Sequence, residues 1–276
     1  MTVNKRDLAA MRGRTSKQGF RKLQAGARQG KQRRDADHVR IYGLHAAEAA
    51  LANPRREIRH IHATPNAAQR LSAALRPGHP QITPVIPRDL DRMLGGDSVH
   101  QGVLIEAQAL PDVGLADLPE ARLVLFLDQI TDPHNVGAIL RTAAAFGVDA
   151  LVMTARNSPP LDGTLAKAAS GGLEHVPVVL VPNLSRALAE AEELGFTRIG
   201  LDSDGDGLLD EAEAPERLAL VLGAEDRGLR RLTREHCEHV LALRTFGPIA
   251  SLNVSNAAAI ALQIMTQKMR QRSQPA

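Results

Sequence analysis

The segment from residue 123 to residue 154 constrains the fold more than any other part of the chain. It opens with five apolar residues that end at Asp128, a pattern typical of a strand buried on both faces of a parallel sheet. Asp132 and Pro133 then provide a helix N-cap and a proline at the first helical position, and Gly147 can end the helix in the left-handed conformation. A second apolar run follows. This strand–helix–strand unit predicts an α/β domain built on a parallel sheet.

The same alternation of strands and helices continues through residues 122–276. Because the connections are helical, the strands are expected to lie parallel in one sheet that helices cover on both faces. The predicted strands are 123–128, 150–154, 176–181, 197–202, 218–222 and 240–243, and the predicted helices are 133–146, about 162–169, 184–194 and 251 to about 270.

A smaller α/β domain is predicted ahead of it, over residues 39–109. Residues 110–121 contain three helix-breaking residues, two Pro and one Gly, and are typical of a linker. Within the smaller domain the predicted strands are 39–42, 58–63, 81–86 and 101–107, and the predicted helices are 43–52, 66–76 and 88–94.

Positive charge is concentrated at the N-terminus. Residues 1–40 hold twelve of the 34 Lys and Arg against three Asp, although the formal net charge of the whole chain is only +3. The basic arm, residues 1–38, is expected to be disordered and either to neutralise nucleic-acid phosphates or to act as a solubilising tail. Aromatic residues are scarce, with one Tyr, five Phe and no Trp, so recognition of bases by stacking on aromatic side chains is not expected.

The sequence carries no apolar run of membrane-spanning length and no signal peptide, so we expect a cytoplasmic protein that does not contact a membrane. Its single cysteine, Cys237, fits a reducing compartment and excludes an intramolecular disulfide. His236 and His239 flank Cys237 closely, but no second pair of ligands accompanies them elsewhere. We therefore expect no metal at this position.

Residues 202–213 match the calcium-loop pattern D-x-D-x-D-G-x5-E at every required position. An EF-hand also needs a helix on each side of this loop, whereas strands are predicted before and after it. The context therefore favours an acidic surface loop over a calcium site.

Polar side chains interrupt the apolar pattern at three places. The first is the N-x-G-x-x-x-R motif of Asn135, Gly137 and Arg141, in which the glycine and the arginine share one helix face. The glycine could give clearance to a group that approaches the guanidinium. Equally, Arg141 could be a surface ion-pair residue and Gly137 a packing notch.

The second place is the end of a buried strand, where the sequence G-A-E-x-x-G occupies residues 223–228. Small residues at a strand end let a ligand contact backbone amides directly. The third is the start of the last helix, predicted with Ser251 as its N-cap. Its first turns, residues 251–256, carry four hydroxyl or amide side chains, more than capping requires.

Together, in this order and spacing, the three motifs resemble those of the SpoU/TrmH family of RNA ribose 2′-O-methyltransferases over residues 122–271. Residues 39–109, with the phrases IYGLHAAEAAL and VHQGV, resemble the L30e-like substrate-binding domain that precedes the catalytic domain in many members. The resemblance implies a C-terminal trefoil knot of the SPOUT type, S-adenosyl-L-methionine as cofactor, a homodimer, and methylation of a guanosine of 23S ribosomal RNA. A tRNA ribose methyltransferase, or a non-catalytic RNA-binding or ribosome-assembly factor on the same fold, are the alternatives.

Position by position, the resemblance also implies the site residues. Cofactor contacts are expected from Gly223, Leu243 and Leu252, and the reaction centre is expected to be surrounded by the polar residues Asn135, Arg141, Glu225, Ser251 and Asn253. The chain departs from the family at Arg244 and Thr245, where a proline and a methionine are usual. Loss of the proline leaves the stiffness of this last loop open.

Overall fold

A computed structural model describes residues 38–96, 98–225, 227–248 and 251–273 of the chain. Residues 1–37, which make up nearly all of the predicted basic arm, lie outside the described residues. In the part that is described, no helix is both long and apolar enough to cross a membrane.

The N-terminal unit is a four-stranded sheet with helices packed on it. The strand order is β1-β4-β2-β3; β4 is antiparallel to β1 and β2, and β3 is parallel to β2. Two predicted elements are shorter than expected. The helix predicted to reach residue 76 ends at Leu71 and continues as a 3₁₀ turn. The strand predicted over 81–86 ends at Pro84, because the prolines at 84 and 87 have no N–H to donate to a neighbouring strand. The elements are β1 His38–Tyr42, α1 Leu44–Ala52, β2 Ile58–Ala63, α2 Pro65–Leu71, β3 Ile82–Pro84, α3 Pro87–Leu94 and β4 Val103–Gln108.

The C-terminal unit is a seven-stranded sheet in the order β7-β6-β5-β10-β8-β11-β9, and all six strand pairs are parallel. The predicted parallel α/β sheet is therefore confirmed. The elements are β5 Leu123–Asp128, α4 Pro133–Phe146, β6 Ala150–Thr154, α5 Gly163–Ala169, α6 Gly172–His175, β7 Val178–Val181, α7 Leu184–Glu193, β8 Thr197–Leu201, β9 Gly207–Leu208, β10 Leu218–Gly223, α8 Arg231–Glu235, β11 His239–Ala242 and α9 Val254–Ser273.

The start of α9 differs from the prediction that Ser251 would be its N-cap. The helix begins at Val254, and the Asn253 side-chain oxygen accepts hydrogen bonds from the backbone N–H of Ser255 (3.0 Å) and of Asn256 (3.4 Å). Asn253 is thus the capping residue, since its short amide oxygen reaches the free N–H groups of the first turn.

Gly137 lies where α4 crosses α5. A Cβ at this position would stand 2.5 Å from the Ala168 side chain and 2.8 Å from the Leu165 backbone oxygen. The glycine therefore allows two helices to pack closely, which is the packing-notch interpretation. The expectation that it clears space for a group beside Arg141 is wrong.

The two units share a continuous apolar core that includes Ile41 and Leu51 from the first and Leu140 and Leu165 from the second. At the centre of their contact, the guanidinium of Arg56 donates to both carboxylate oxygens of Glu174, at 2.7 and 3.2 Å. The side chains of this pair are only 2% and 3% exposed. Apolar burial and a buried ion pair together fix the first unit against the second.

Candidate functional site

A cavity of about 630 Å³ opens at the carboxyl ends of three adjacent parallel strands. Leu201 ends β8, Gly223 ends β10, and Leu243 follows β11, and all three residues line the cavity. Open α/β sheets bind ligands at this edge because the loops that follow the strands converge there. The cavity is the candidate binding site.

The loop after β10 turns back tightly on itself along one wall of this cavity. The Gly228 N–H donates to the Ala224 oxygen at 2.8 Å, and Gly228 has a φ of +59°, in the left-handed region. A Cβ on Gly223 would stand 2.3 Å from the Gly228 carbonyl carbon, well inside van der Waals contact. Two glycines are therefore required for this turn, and they leave its backbone accessible from the cavity.

Two carboxylates, at the ends of the strands on either side of β10, bind residues that follow this loop. Asp128, fully buried at the end of β5, accepts from the backbone N–H of Arg230 (2.9 Å) and from its Nε (2.7 Å). Asp202, just after β8, lies 3.3 Å from the guanidinium of Arg234. Asp128 was not among the predicted site residues, although an acid that ends an all-apolar strand is a signal present in the sequence.

Glu225 is the centre of a polar network at the cavity wall. Its Oε1 accepts from the side-chain amide of Asn135 (3.0 Å), from that of Asn253 (2.6 Å) and from the backbone N–H of Val254 (3.2 Å). Asn253 also donates to the Asn135 side-chain oxygen at 3.0 Å. One carboxylate thereby joins the first turn of α4, the loop after β10 and the start of α9.

The remaining wall comes from the segment between β11 and α9. Leu243, Thr245, Ser251 and Leu252 line the cavity, so the three predicted cofactor contacts, including Gly223, share one cavity with the predicted residues Glu225 and Ser251. The lining therefore contains both apolar and polar groups.

Arg244, at the departure from the family pattern, makes two ion pairs across to the segment after β9. Its Nε lies 2.9 Å from Asp210 and its Nη2 2.5 Å from Glu211. The hydrogen bond from Arg244 lowers the pKa of the Asp210 carboxyl, and the same contact raises the pKa of the Arg244 guanidinium. These two ion pairs thus restrain the loop at the position where the family usually has a proline.

Arg141 does not line this cavity. It is exposed on α4, six residues after Asn135, which places it about 9 Å further along the helix axis. It borders a separate open cavity of about 660 Å³ together with Arg70, His45 and Ser170. Within one chain, the structure brings together Asn135, Glu225 and Asn253 but not Arg141.

The calcium-like segment makes contacts of a different kind. Asp202 pairs with Arg234, and Gly207–Leu208 form β9, which is parallel to β11, so a strand occupies part of the predicted loop. The thiol of Cys237 lies 3.3 Å from the backbone oxygen of Thr233, and burial raises its pKa to about 11. Asp202, Ser203 and Asp204 also line the candidate cavity, so the start of the calcium-like segment forms part of its wall.

Comparison with known families gives two matches. Residues 122–263 match the SpoU rRNA methylase family, and residues 40–113 match the family described as RNA 2′-O ribose methyltransferase substrate binding.

Relatives and solved structures agree with these matches. The 23S rRNA (guanosine-2′-O-)-methyltransferase RlmB of Neisseria meningitidis serogroup B is 39% identical over 241 residues, which are 84% of this chain and 95% of that protein. The SpoU methyltransferase AviRb from Streptomyces viridochromogenes, solved with AdoMet, superposes with a TM-score of 0.73 at 21% identity, over 89% of this chain and 94% of that one. The AdoMet-bound rRNA methyltransferase from Sinorhizobium meliloti gives a TM-score of 0.71 at 19% identity, over 89% and 92%. The chain belongs to the SpoU rRNA methylase family.

Proposed function

We propose that this protein transfers a methyl group from S-adenosyl-L-methionine to a ribose 2′-hydroxyl of RNA, and that its target is a guanosine of 23S rRNA. The single observation that carries the proposal is the Glu225–Asn135–Asn253 network on the wall of the cavity. Relatives named for this reaction align over 84% of the chain.

The cavity fits the cofactor in its chemistry. Five leucines line it, at positions 201, 222, 229, 243 and 252, and can enclose an adenine ring, while the accessible backbone of the Gly223–Gly228 turn offers hydrogen-bonding groups. Gly223, Leu243 and Leu252 would hold the cofactor. When bound, the cofactor supplies an electrophilic methyl group.

The protein's own groups must orient the ribose, because a 2′-hydroxyl is a weak nucleophile at neutral pH. The side-chain amides of Asn135 and Asn253 are held by Glu225, which lines the cavity, so their orientation beside it is fixed. The Ser251 hydroxyl lines the same cavity and can accept or donate. These side chains are neutral, and the one carboxylate beside them, that of Glu225, already accepts three hydrogen bonds from the protein.

Arg141 is the residue we assign to charge stabilisation. A guanidinium almost never gives up its proton in a protein, so it is not the base. Its fork of donors can instead stabilise the developing alkoxide or hold the phosphate next to the ribose.

A homodimer reconciles this assignment with the position of Arg141 outside its own cavity. In a two-fold dimer, the exposed face of one copy can complete the site of the other. Mixing two inactive variants, Arg141→Ala and Glu225→Ala, tests this. If Arg141 acts across the interface, each mixed dimer contains one intact site of its two. Random mixing makes half of the dimers mixed, so the sample should regain about a quarter of wild-type activity. No recovery in verified mixed dimers would mean that Arg141 acts within its own chain or not at all.

We further propose the C-terminal trefoil knot, the L30e-like character of residues 39–109 and a cytoplasmic location. Support for the knot comes from α9, whose Lys268 Nζ donates to the backbone oxygens of Asp210 (2.7 Å) and Ala212 (2.6 Å), and whose Arg272 donates to that of Ala214 (2.7 Å). The segment before β10 therefore lies against the last helix.

Mapping of 2′-O-methyl marks in rRNA and tRNA from a deletion strain tests the function. A single guanosine mark lost from 23S rRNA and restored by the wild-type gene is expected. Loss of a tRNA mark instead would establish the tRNA alternative. If no mark is lost and calorimetry detects no binding of S-adenosyl-L-methionine, the protein is a non-catalytic factor.

A further inference from the structure

Phe246 is exposed in a way that no other Phe or Tyr of the described chain is. Its surface is 92% accessible, whereas Phe126, Phe196 and Tyr42 are buried and Phe146 is half-buried. Leaving a phenyl ring in water is unfavourable, and large exposed apolar groups next to a polar site often mark a contact surface. A binding partner for this ring is therefore worth identifying.

The position of Phe246 ties it to the cavity. Thr245 precedes it directly and lines the cavity, so the ring stands next to the cavity wall, at its rim. Arg244, directly before Thr245, is anchored by its two ion pairs to Asp210 and Glu211. The backbone that carries the ring is thus fixed on one side.

We propose that Phe246 stacks on a nucleobase of the substrate RNA beside the reacting ribose. This inference rests on the proposed function, which brings a nucleotide to this rim with its sugar inward and its base outside. Base–aromatic stacking tolerates any base because every base has a π-face. Two guanidiniums on the wall of the same cavity, those of Arg227 and Arg234, can contact RNA phosphates beside the carboxylates of Asp202, Asp204 and Glu225. Scarcity of aromatic residues had argued against stacking, but one well-placed ring is enough for one base.

Four variants separate stacking from simple apolar contact: Phe246→Ala, Phe246→Leu, Phe246→Tyr and, as a matched control, Leu180→Ala. Leu180 is also exposed, but it lies on β7 at the far edge of the sheet. Loss of the ring in the alanine and leucine variants should raise KM for an rRNA fragment about tenfold, from the measured range for stacking. The tyrosine variant and the control should stay within about twofold of wild type, as should the affinity of every variant for S-adenosyl-L-methionine.

A direct readout is available because the chain contains no tryptophan. Phe246→Trp introduces a single indole at the rim, and its fluorescence should be quenched when the rRNA fragment binds. Leu180→Trp should show no quenching. This measurement reports binding without methyl transfer, so it separates failure of this inference from failure of the proposed reaction.

Three results would overturn the inference. Phe246→Leu could match wild type in KM, which would leave no role for the π-face. The variants could instead weaken the affinity for S-adenosyl-L-methionine, which would make the ring a cover for the cofactor. Sedimentation could also show that Phe246→Ala loses self-association while the RNA affinity of the remaining species is unchanged, which would make the ring a contact between copies.

Discussion

Two groups of ion pairs in this molecule differ in burial and therefore in what they contribute to the structure. Arg56 and Glu174 lie between the two units, almost completely out of water, and Asn53 adds a hydrogen bond to Glu174 at 2.7 Å. Arg244 meets Asp210 and Glu211 at the surface, where the three side chains are 39%, 36% and 65% exposed. Buried charges must be fully partnered or they are very costly, whereas exposed pairs contribute little to folding stability. The first group therefore helps to fix the position of one unit against the other, and the second only restrains a loop.

Between these extremes lies the pair of Asp128 and Arg230. Asp128 is fully buried, whereas the Arg230 side chain is 48% exposed. Since water can solvate the arginine when its partner is removed, the cost of breaking this pair should be intermediate. The three pairs form a graded series in which burial is the main variable.

The largest effect is expected from Glu174→Ala. The substitution leaves the Arg56 guanidinium buried without its carboxylate, and a buried charge that loses its partner destabilises by roughly 3–5 kcal/mol. Urea unfolding followed by circular dichroism measures it. As a control, the double change of Arg56→Met and Glu174→Leu should recover most of the lost stability, because it removes both charges together. A loss below about 1 kcal/mol for Glu174→Ala would show that burial does not govern the series.

Asp128→Ala should come second. It removes two hydrogen bonds from Arg230, both of them accepted by the carboxylate, and we expect a loss of roughly 1.5–3 kcal/mol. Because Arg230 ends the loop that begins at Gly223, the affinity for S-adenosyl-L-methionine should fall as well. Calorimetry on the folded variant measures this, with Glu235→Ala, at an exposed ion pair of α8, as the control that should leave affinity unchanged. Unaltered affinity would mean that the loop keeps its shape without Asp128.

Arg244→Ala should change unfolding very little and cofactor affinity by a few-fold. Both of its pairs are exposed, so their effect should also shrink as salt is raised and the charges are screened. Titrating S-adenosyl-L-methionine into wild type and variant at low and high ionic strength measures it. The two proteins should converge at high salt. A difference that persists there would indicate that the arginine acts through packing of its stem.

The smallest effect on stability is expected when the pH is lowered. The pKa of Asp210 is lowered in the folded protein from an ordinary value of 3.8, so the stabilisation by its pair with Arg244 is present above that value and is lost as the pH falls through the lowered pKa. Comparing acid unfolding of wild type and Asp210→Asn measures it. The two curves should differ above pH 4 and approach each other at lower pH. Parallel curves throughout would contradict this linkage.

Long, capped elements could be predicted from the sequence, and short ones could not. The bounds of β5, α4 and β6 agree with the prediction. Apolar runs mark the two strands, and a capping aspartate and a terminal glycine mark the two ends of the helix. In contrast, α6, β9 and α8 were missed, since two to five residues are too few to show a period.

The site was predictable only in part, for a similar reason. The motifs identified Gly223, Glu225 and Asn253, which the structure places around one cavity or its network. They could not show that Arg141 faces away from that cavity, because spacing along a helix fixes a face but not its neighbours. They also could not show that Arg244 restrains the loop in which the proline is missing. That restraint comes from an ion pair with Glu211, which lies 33 positions earlier in the chain.

The cap of α9 has a consequence for the time at which the Glu225 network is completed. Asn253 joins Asn135 across 118 positions of sequence, and Glu225 gains two of its three donors only when Asn253 and Val254 are in place. During synthesis the first unit and most of the sheet can fold while these residues are still unmade. The nascent chain on a translating ribosome can therefore hold its folded first unit while the Glu225 network is still incomplete, and this network forms only after α9 has docked.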